Sequence, residues 1–371
     1  MRILFINTVP TERNGITGVI FNYLESFPIE KDDKIGYVAI NQPDDSFKKR
    51  LDKVGADLFV IERKISNPVR YVKQLAKVAK NYDIIHAHGN SATLTLEMLA
   101  GKLAGCKLRI AHSHNTSCSA KLIDRIFRPL FYTLCNGRMA CGIEAGKWLF
   151  KDRDFTVLNN GIDTEKYHFD PTIRNLTRKK LGLEKFHIIG NIANFVEAKN
   201  HVFLLTLFCQ ILSEMPSARL LLLGNGPLLE KSKRLAKELN ISDKVFFIGS
   251  VNNPQDYMSA MDLIVMPSLF EGLPLTLVEE QANGLHAIVS DAITTQVDMT
   301  GNISYLSLDA PIDTWMKRIV DVLQSYNRDS ISASEISKYA IFKIRNNGYD
   351  IYSISANLKS YYHTCLSNMA K

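Results

Sequence analysis

Short apolar runs separated by stretches of helical spacing recur from one end of this chain to the other, and no other pattern narrows the choice of fold so far. In the first half the runs fall near Ile3 to Asn7, Ile35 to Ile40, Leu58 to Ile61, Ile84 to His86, Leu108 to His112 and Met139 to Cys141. In the second half they fall at Ile188 to Ala193, Arg219 to Leu223, Val245 to Ile248, Leu263 to Met266 and Ala287 to Ser290, with helices expected over His201 to Glu214 and Leu228 to Leu239. Runs that are apolar throughout suit strands buried on both faces, the condition of a parallel sheet covered by crossover helices.

At 371 residues the chain exceeds what one core comfortably serves, so two α/β domains are expected. The break falls after Asn160-Gly161-Ile162-Asp163, where a polar, irregular stretch to about Lys185 reads as the linker. The domains expected are 1–165, then 166–345 opening with that linker, and a terminal helix within 346–371 that runs back to the first. Each is a doubly wound, Rossmann-like parallel sheet, and such sheets bind ligands outside the carboxyl ends of their strands, facing a cleft.

Charge sharpens this picture. The net +7 lies wholly in the first half: through Lys166 there are 25 Lys and Arg against 18 Asp and Glu, and beyond it 20 of each. A basic half invites an anionic partner, whether nucleic acid, an acidic lipid surface or a phosphate-bearing substrate, although a solubilising surface accounts for charge alone equally well. The six cysteines are scattered without CxxC spacing and read as reduced thiols of a cytosolic protein. The apolar N-terminal run stops at Asn7, so it reads as a first strand rather than a signal peptide, and no run approaches a membrane span.

The densest motif is Pro267-Ser268-Leu269-Phe270-Glu271-Gly272-Leu273-Pro274-Leu275-Thr276-Leu277-Val278-Glu279-Glu280. A strand ends at Met266, a loop carries Glu271 and Gly272, and Pro274 stands where the first turn of a helix tolerates it. The amino terminus of that helix presents unpaired N–H groups and a positive dipole end to a phosphate. Glu271 and Glu279 can reach different hydroxyls of one ligand, as carboxylates do with sugars. An amphipathic core helix with a solvated Glu-Glu pair would share the pattern.

This segment resembles the E-x7-E motif of glycosyltransferase family four, the group 1 enzymes, which have the GT-B fold and retain anomeric configuration. Gly224-Asn225-Gly226-Pro227 is similar to that family's G-x-G-P turn, Asp262 to Glu279 to its D-x-x-x-x-P-S-x-x-E-G-x-P stretch, and Asn160 to Asp163 to its N-G-I-D connector. Ser290-Asp291-Ala292-Ile293-Thr294 and Trp315 point to the capsular and exopolysaccharide branch. The resemblance implies a UDP-sugar donor, with Glu279 on the ribose, Glu271 on the donor sugar, and backbone amides of Gly272, Leu273, Pro274, Leu275 and Thr276 around the diphosphate. It also implies no cofactor besides that substrate.

One departure from the family stands out. Where the family carries Arg before its Lys-Asn-His, this chain has Asn194, while Lys199 is kept. Asn can donate a hydrogen bond to a phosphate but brings no charge. Asn14-Gly15-Ile16-Thr17-Gly18 is similar to the family's glycine loop, which places Gly15 at the donor phosphate. Two His-x-His pairs, His86/His88 and His112/His114, end strands, and the family pattern puts His114, with His112 as fallback, against the donor sugar. No carboxylate at ligand spacing accompanies them, so no metal is expected.

Lys121 to Phe131 mixes basic and large apolar residues in a helical pattern. Packing its apolar face on its own sheet is the ordinary reading, and lying on an anionic bilayer is the other. The expectation is therefore a retaining glycosyltransferase acting on a polysaccharide or lipid-linked saccharide, cytoplasmic, with peripheral contact to an anionic membrane and no nucleic acid. The rivals are a nucleotide-sugar binder without activity, a sugar-nucleotide epimerase and a metal-dependent hydrolase.

Overall fold

The computed structural model describes residues 1–370 apart from Arg13, Ser119, Asn327, Asp329 and Ser330. The chain divides into two compact units, Met1–Gly161 with Gly348–Lys371, and Ile162–Asn347.

The first unit begins β1 (Arg2–Asn7), α1 (Gly15–Ser26), β2 (Lys34–Ala39), α2 (Asp45–Lys53), β3 (Asp57–Val60) and α3 (Pro68–Ala79). It continues β4 (Ile84–Gly89), α4 (Thr95–Ala104), β5 (Leu108–Ser113), α5 (Lys121–Leu134), β6 (Gly137–Ala140), α6 (Ile143–Phe150) and β7 (Thr156–Val157). Its seven strands are all parallel, in the order β3-β2-β1-β4-β5-β6-β7. The order reverses between β1 and β4, so right-handed crossovers put α1 and α2 on one face and α3 to α6 on the other. Leu4, Ile6 and Ile85 of the sheet bury against Tyr71 and Leu75 of α3, Met98 of α4 and Phe131 of α5.

The second unit runs α7 (Pro171–Leu181), β8 (His187–Ile192), α8 (His201–Glu214), β9 (Ala218–Leu223), α9 (Leu229–Glu238), β10 (Val245–Gly249) and α10 (Pro254–Ala260). Then follow β11 (Leu263–Met266), α11 (Leu275–Ala282), β12 (His286–Ser290), β13 (Ile303–Leu306), α12 (Ile312–Ser325) and α13 (Ile331–Asn346). Its parallel sheet has the order β10-β9-β8-β11-β12-β13, with the reversal between β8 and β11. Leu204, Leu205 and Phe208 of α8 and Trp315 and Ile319 of α12 cover one face.

Helix α14 (Ile351–Ala370) belongs to the first unit and packs on α1. Ser355 Oγ meets Ser26 Oγ at 2.6 Å, and Lys359 Nζ reaches Pro28 O at 2.6 Å and Asp33 at 3.0 Å. Tyr362 OH lies 2.6 Å from His86 Nδ1.

Two sequence expectations need correction. The stretch read as an irregular linker contains α7, with Asp170 as N-cap accepting from Thr172 N and Ile173 N, Pro171 in its first turn, and Gly182 closing it in the left-handed region. Those are ordinary start and stop signals, overlooked because the helix is polar. Its Arg174 and Arg178 bind the end carbonyls of α10, at Ser259, Ala260 and Met261, and clasp the Asp262 carboxylate. Orphan carbonyls at a helix end are thereby satisfied.

The second correction concerns α5. Its ordinary reading put the apolar face inward, and that holds only in part: Phe131 and Leu134 are buried with Phe127 packed against the core, whereas Leu122, Ile123, Ile126 and Leu130 are exposed. Its polar pair is instead drawn in: Asp124 accepts from Ala92 N at 2.7 Å and from Arg128 Nε at 2.8 Å, and Arg128 Nη1 donates to Leu149 O at 2.9 Å.

Candidate active site

Ligands of doubly wound sheets lie at the carboxyl ends of the strands where the strand order reverses. In the second unit that point is flanked by the loops after β8 and β11, which are laced together. Asn191 Nδ2 donates to Val265 O at 2.8 Å, Leu269 N to Ala198 O at 2.8 Å, and Phe195 N to Asn225 O at 2.9 Å. The glycines of the Gly224-Asn225-Gly226 turn permit this closeness, because a Cβ on Gly224 would stand 2.0 Å from Ala193 O and one on Gly226 2.6 Å from Phe195 O. Both have positive φ, so any other residue there would be strained as well as crowded.

On this scaffold Lys199 occupies a short helical turn after β8, followed by Asn200 in the left-handed region, before α8 begins at His201. Its ammonium pairs with Glu271 of the loop after β11, and Ser268 Oγ donates to the same carboxylate at 3.0 Å. The chain thus brings together two candidate residues that lie 72 positions apart. Asn194 is exposed on the loop after β8. His201 stacks on Phe195 at 4.0 Å, and burial followed by the Lys199 charge pushes its imidazole down to about 4.

Helix α11 starts at Leu275, with Pro274 in the capping position and no side chain closing its first turn. Gly272 is exposed, and a Cβ there would meet nothing within 4 Å. A mobile anion approaching these first-turn amides would meet an uncapped helix terminus. Within the helix, burial raises the Glu279 carboxyl to about 7, against a hydrogen bond with Tyr167 and the charge of Lys166. Glu280 is fully buried, neither of its oxygens has a hydrogen-bond partner, and burial with the neighbouring Glu279 raises it further. The two adjacent acids thus differ: one has a hydroxyl partner, the other none.

The first unit presents a different chemistry at its own reversal. Gly15 opens α1 with Asn14 as N-cap, accepting from Thr17 N at 2.9 Å, and a Cβ on Gly15 would meet nothing. Facing β4 and β5, the four histidines form an array: His88 pairs with His112 in register, and ring centroids stack at 4.4 Å within β4 and 4.3 Å between His112 and His114. His86 Nε2 contacts His112 Nδ1 at 3.1 Å and His88 Nδ1 contacts His114 Nε2 at 2.8 Å. Burial holds His86 and His114 down to about 3 and the other two well below their ordinary value. His112 is fully buried and His114 half-buried, so His114 is the more open of the two sequence candidates.

Nitrogens of His86, His88 and His112 lie within 4.8 Å of one another, the one such grouping among the described residues. His86 bonds His112 and His88 bonds His114, each pair with rings within about 20° of parallel, which suits N–H···N bonds between neutral imidazoles. Sequence reasoning missed Ser268, Tyr167, Glu280 and Tyr362. Ser268 and Glu280 were quoted within the motif but lacked any signal of what they touch; Tyr167 and Tyr362 are remote in sequence from what they contact.

Residues 173–340 match the family of glycosyl transferases group 1. EpsF of Bacillus subtilis, assigned as a glycosyltransferase, is 36% identical over 270 residues, covering 68% of this chain and 70% of that protein. The UDP-Gal:alpha-D-GlcNAc-diphosphoundecaprenol alpha-1,3-galactosyltransferase of Escherichia coli is 29% identical over 236 residues, covering 57% and 58%. Among solved structures, Anabaena HepE in complex with UDP-glucose superposes with a TM-score of 0.77 at 17% identity, covering 98% of this chain and 100% of that one. The fold is accordingly that of the GT-B glycosyltransferases, and the chain belongs to group 1 of that enzyme class.

Proposed function

We propose that this group 1 enzyme moves a hexose or N-acetylhexosamine, with retention, from a UDP-sugar to a polysaccharide or lipid-linked saccharide acceptor in capsule or exopolysaccharide synthesis, at the cytoplasmic face of the membrane. The observation that carries the reading is the Lys199–Glu271 pair standing beside the uncapped start of α11. A diphosphate sugar needs a cation and N–H dipoles for its phosphates and an acceptor group for its hydroxyls, and these are the groups in place. Without donor, Lys199 and Glu271 neutralise each other. With donor, Lys199 turns to the diphosphate, Glu271 to the sugar, and Glu279 to the ribose hydroxyls.

Two relatives supply the chemical class. HepE has been solved with UDP-glucose, and the E. coli relative carries UDP-Gal and a diphosphoundecaprenol-linked sugar in its name. The biosynthetic branch is supported by the likeness to EpsF. In the reaction proposed, the diphosphate leaves from the face that the acceptor hydroxyl enters, and a diphosphate oxygen takes the acceptor proton. Catalysis then rests on positioning and on charge stabilisation by Lys199 and the α11 amides, and the family pattern assigns Gly15 to the donor phosphate. Because Asn194 is neutral, Lys199 carries the cationic share alone at that loop, and the family pattern assigns His114 to the donor sugar.

The test is a panel of nucleotide sugars assayed for transfer or hydrolysis, with the anomeric configuration of the product read by NMR. A UDP-hexose or UDP-N-acetylhexosamine consumed with retention supports the reading, and inversion or no consumption of any UDP-sugar refutes it.

A further inference from the structure

The two helical layers on either side of the first sheet carry opposite surfaces. Residues 1–62, which build the α1 and α2 side, contain eight Lys and Arg against ten Asp and Glu; residues 63–136, which build α3, α4 and α5, contain twelve against three. All three of those acids are paired within the unit: Glu97 with Lys64 and Tyr71, Asp124 with Arg128, and Asp83, nearer the surface, with Arg2. The cations outnumber what the fold uses internally, and Lys73, Lys77, Lys121 and Arg125 are exposed.

Within this basic layer α5 buries Phe131 and Leu134 in the core and carries a second apolar stripe on its outer face. Its Asp124–Arg128 pair points inward, while Leu122 at 72% and Ile126 at 66% exposure point outward with Ile123 and Leu130. Positions 122, 126 and 130 recur at helical spacing, so they form one stripe. Ile65 just before α3 and Val69 in its first turn are exposed, and Lys64 Nζ ties that segment to Thr93 Oγ1 at 3.3 Å, in the short helical turn that packs on α5. An aliphatic stripe rimmed by lysines and arginines is the surface composition of an interfacial contact.

We propose that the α3–α4–α5 layer docks on an anionic lipid bilayer, with the α5 stripe entering the interface and the surrounding lysines and arginines meeting lipid phosphates. Charge complementarity selects an anionic occupant, and the aliphatic stripe selects lipid over nucleic acid, whose recognition surfaces combine basic groups with aromatic stacking platforms. No helix among the described residues is long and apolar enough to cross a membrane, so the contact is peripheral. The lipid attachment of an acceptor is a premise shared with the proposed function, but the donor site lies in other residues and is measured separately.

Arg128 is unsuited to a charge-reversal test because its guanidinium is locked onto Asp124 and Leu149 O. The surface variants are Leu122→Ser with Ile126→Ser, and independently Lys73→Glu with Lys77→Glu. Each is sedimented with vesicles of phosphatidylcholine alone and of phosphatidylcholine with an equal share of phosphatidylglycerol, at low and high salt, with thermal melting and UDP binding recorded on the same samples. Wild type should pellet with the anionic vesicles at low salt and be released at high salt, and each double variant should bind roughly tenfold more weakly or less with unchanged melting and UDP binding. The proposal is overturned if wild type ignores anionic vesicles, if it binds neutral vesicles as well, if both variants bind like wild type, or if an RNA competitor displaces it from them.

Discussion

The two sheet reversals of this molecule solve opposite electrostatic problems. In the second unit, Lys199 and Glu271 face each other as charged groups held by laced loops, ready to exchange one partner for a ligand. In the first unit, four histidines in the corresponding place are kept uncharged by burial and bonded to one another. A charged pair with a short turn on one side and an uncapped helix on the other is built to meet a charged ligand; a neutral array is built to present directed N–H and lone-pair groups without adding charge. The basic surface of the first unit lies outside this array, in the layer of α3 to α5.

The largest expected effect is on the neutral side. In the unfolded chain these imidazoles protonate near 6.5, while in the folded one His86 and His114 stay neutral to about 3. Below 6.5 the unfolded state therefore binds more protons, and stability present above that pH is lost as the pH falls, by roughly 1.4 kcal/mol per histidine per pH unit. Glu279, raised to about 7, has the opposite sign: its contribution is present below about 4.5 and lost as pH rises, so it offsets part of the fall. Melting curves between about pH 7.5 and about pH 5 should show a steep loss for wild type and a shallower one for His86→Gln. Parallel curves would mean that the array titrates normally.

On the charged side, Lys199→Ala should lower kcat on the order of a hundredfold or more, and donor affinity less, because charge on the departing diphosphate grows in the transition state. Steady-state kinetics decide it. An equal loss in both terms would make Lys199 a binding group only.

Much of the second unit could be read from the residues. Strand Leu263–Met266 and helix His201–Glu214 have the bounds expected of them, because fully apolar strands and sharp helix ends leave little choice of period. The loop carrying Glu271 and the helix carrying Glu279 followed from the same logic. What could not be read was partnership across the chain. Periodicity located the helix α5 but not which of its apolar residues face the core: Phe131 and Leu134 do, while Asp124, bonded to Ala92 N, takes an inward position and Leu122, Ile126 and Leu130 are left to solvent. Likewise the polar helix α7 hid its role until Arg174 and Arg178 were seen on the end of α10.

Neighbouring carboxyls sharpen the contrast further. Glu280 is buried with both oxygens unpartnered, so Glu280→Met should leave the fold intact and stabilise it by on the order of 1 kcal/mol above neutral pH, read as a higher melting temperature. A marked loss of stability would show that Glu280 has a partner the fold requires. The smallest effect is expected from Asn194→Arg. It restores the charge usual in the family at an exposed loop position and should raise kcat a few-fold, while no change would mean that Lys199 and the α11 amides already suffice.

The reading of the second unit as the nucleotide-sugar site is tested most directly by calorimetric titration of UDP into wild type and Glu279→Ala. Loss of charge-assisted ribose bonds should weaken binding by about 1.5–3 kcal/mol, roughly tenfold or more. Wild type should bind UDP at one site and Glu279→Ala should bind it at least that much more weakly, with melting unchanged or raised. No heat with wild type, or equal affinity in the two proteins, would contradict the assignment of the α11 region to the donor.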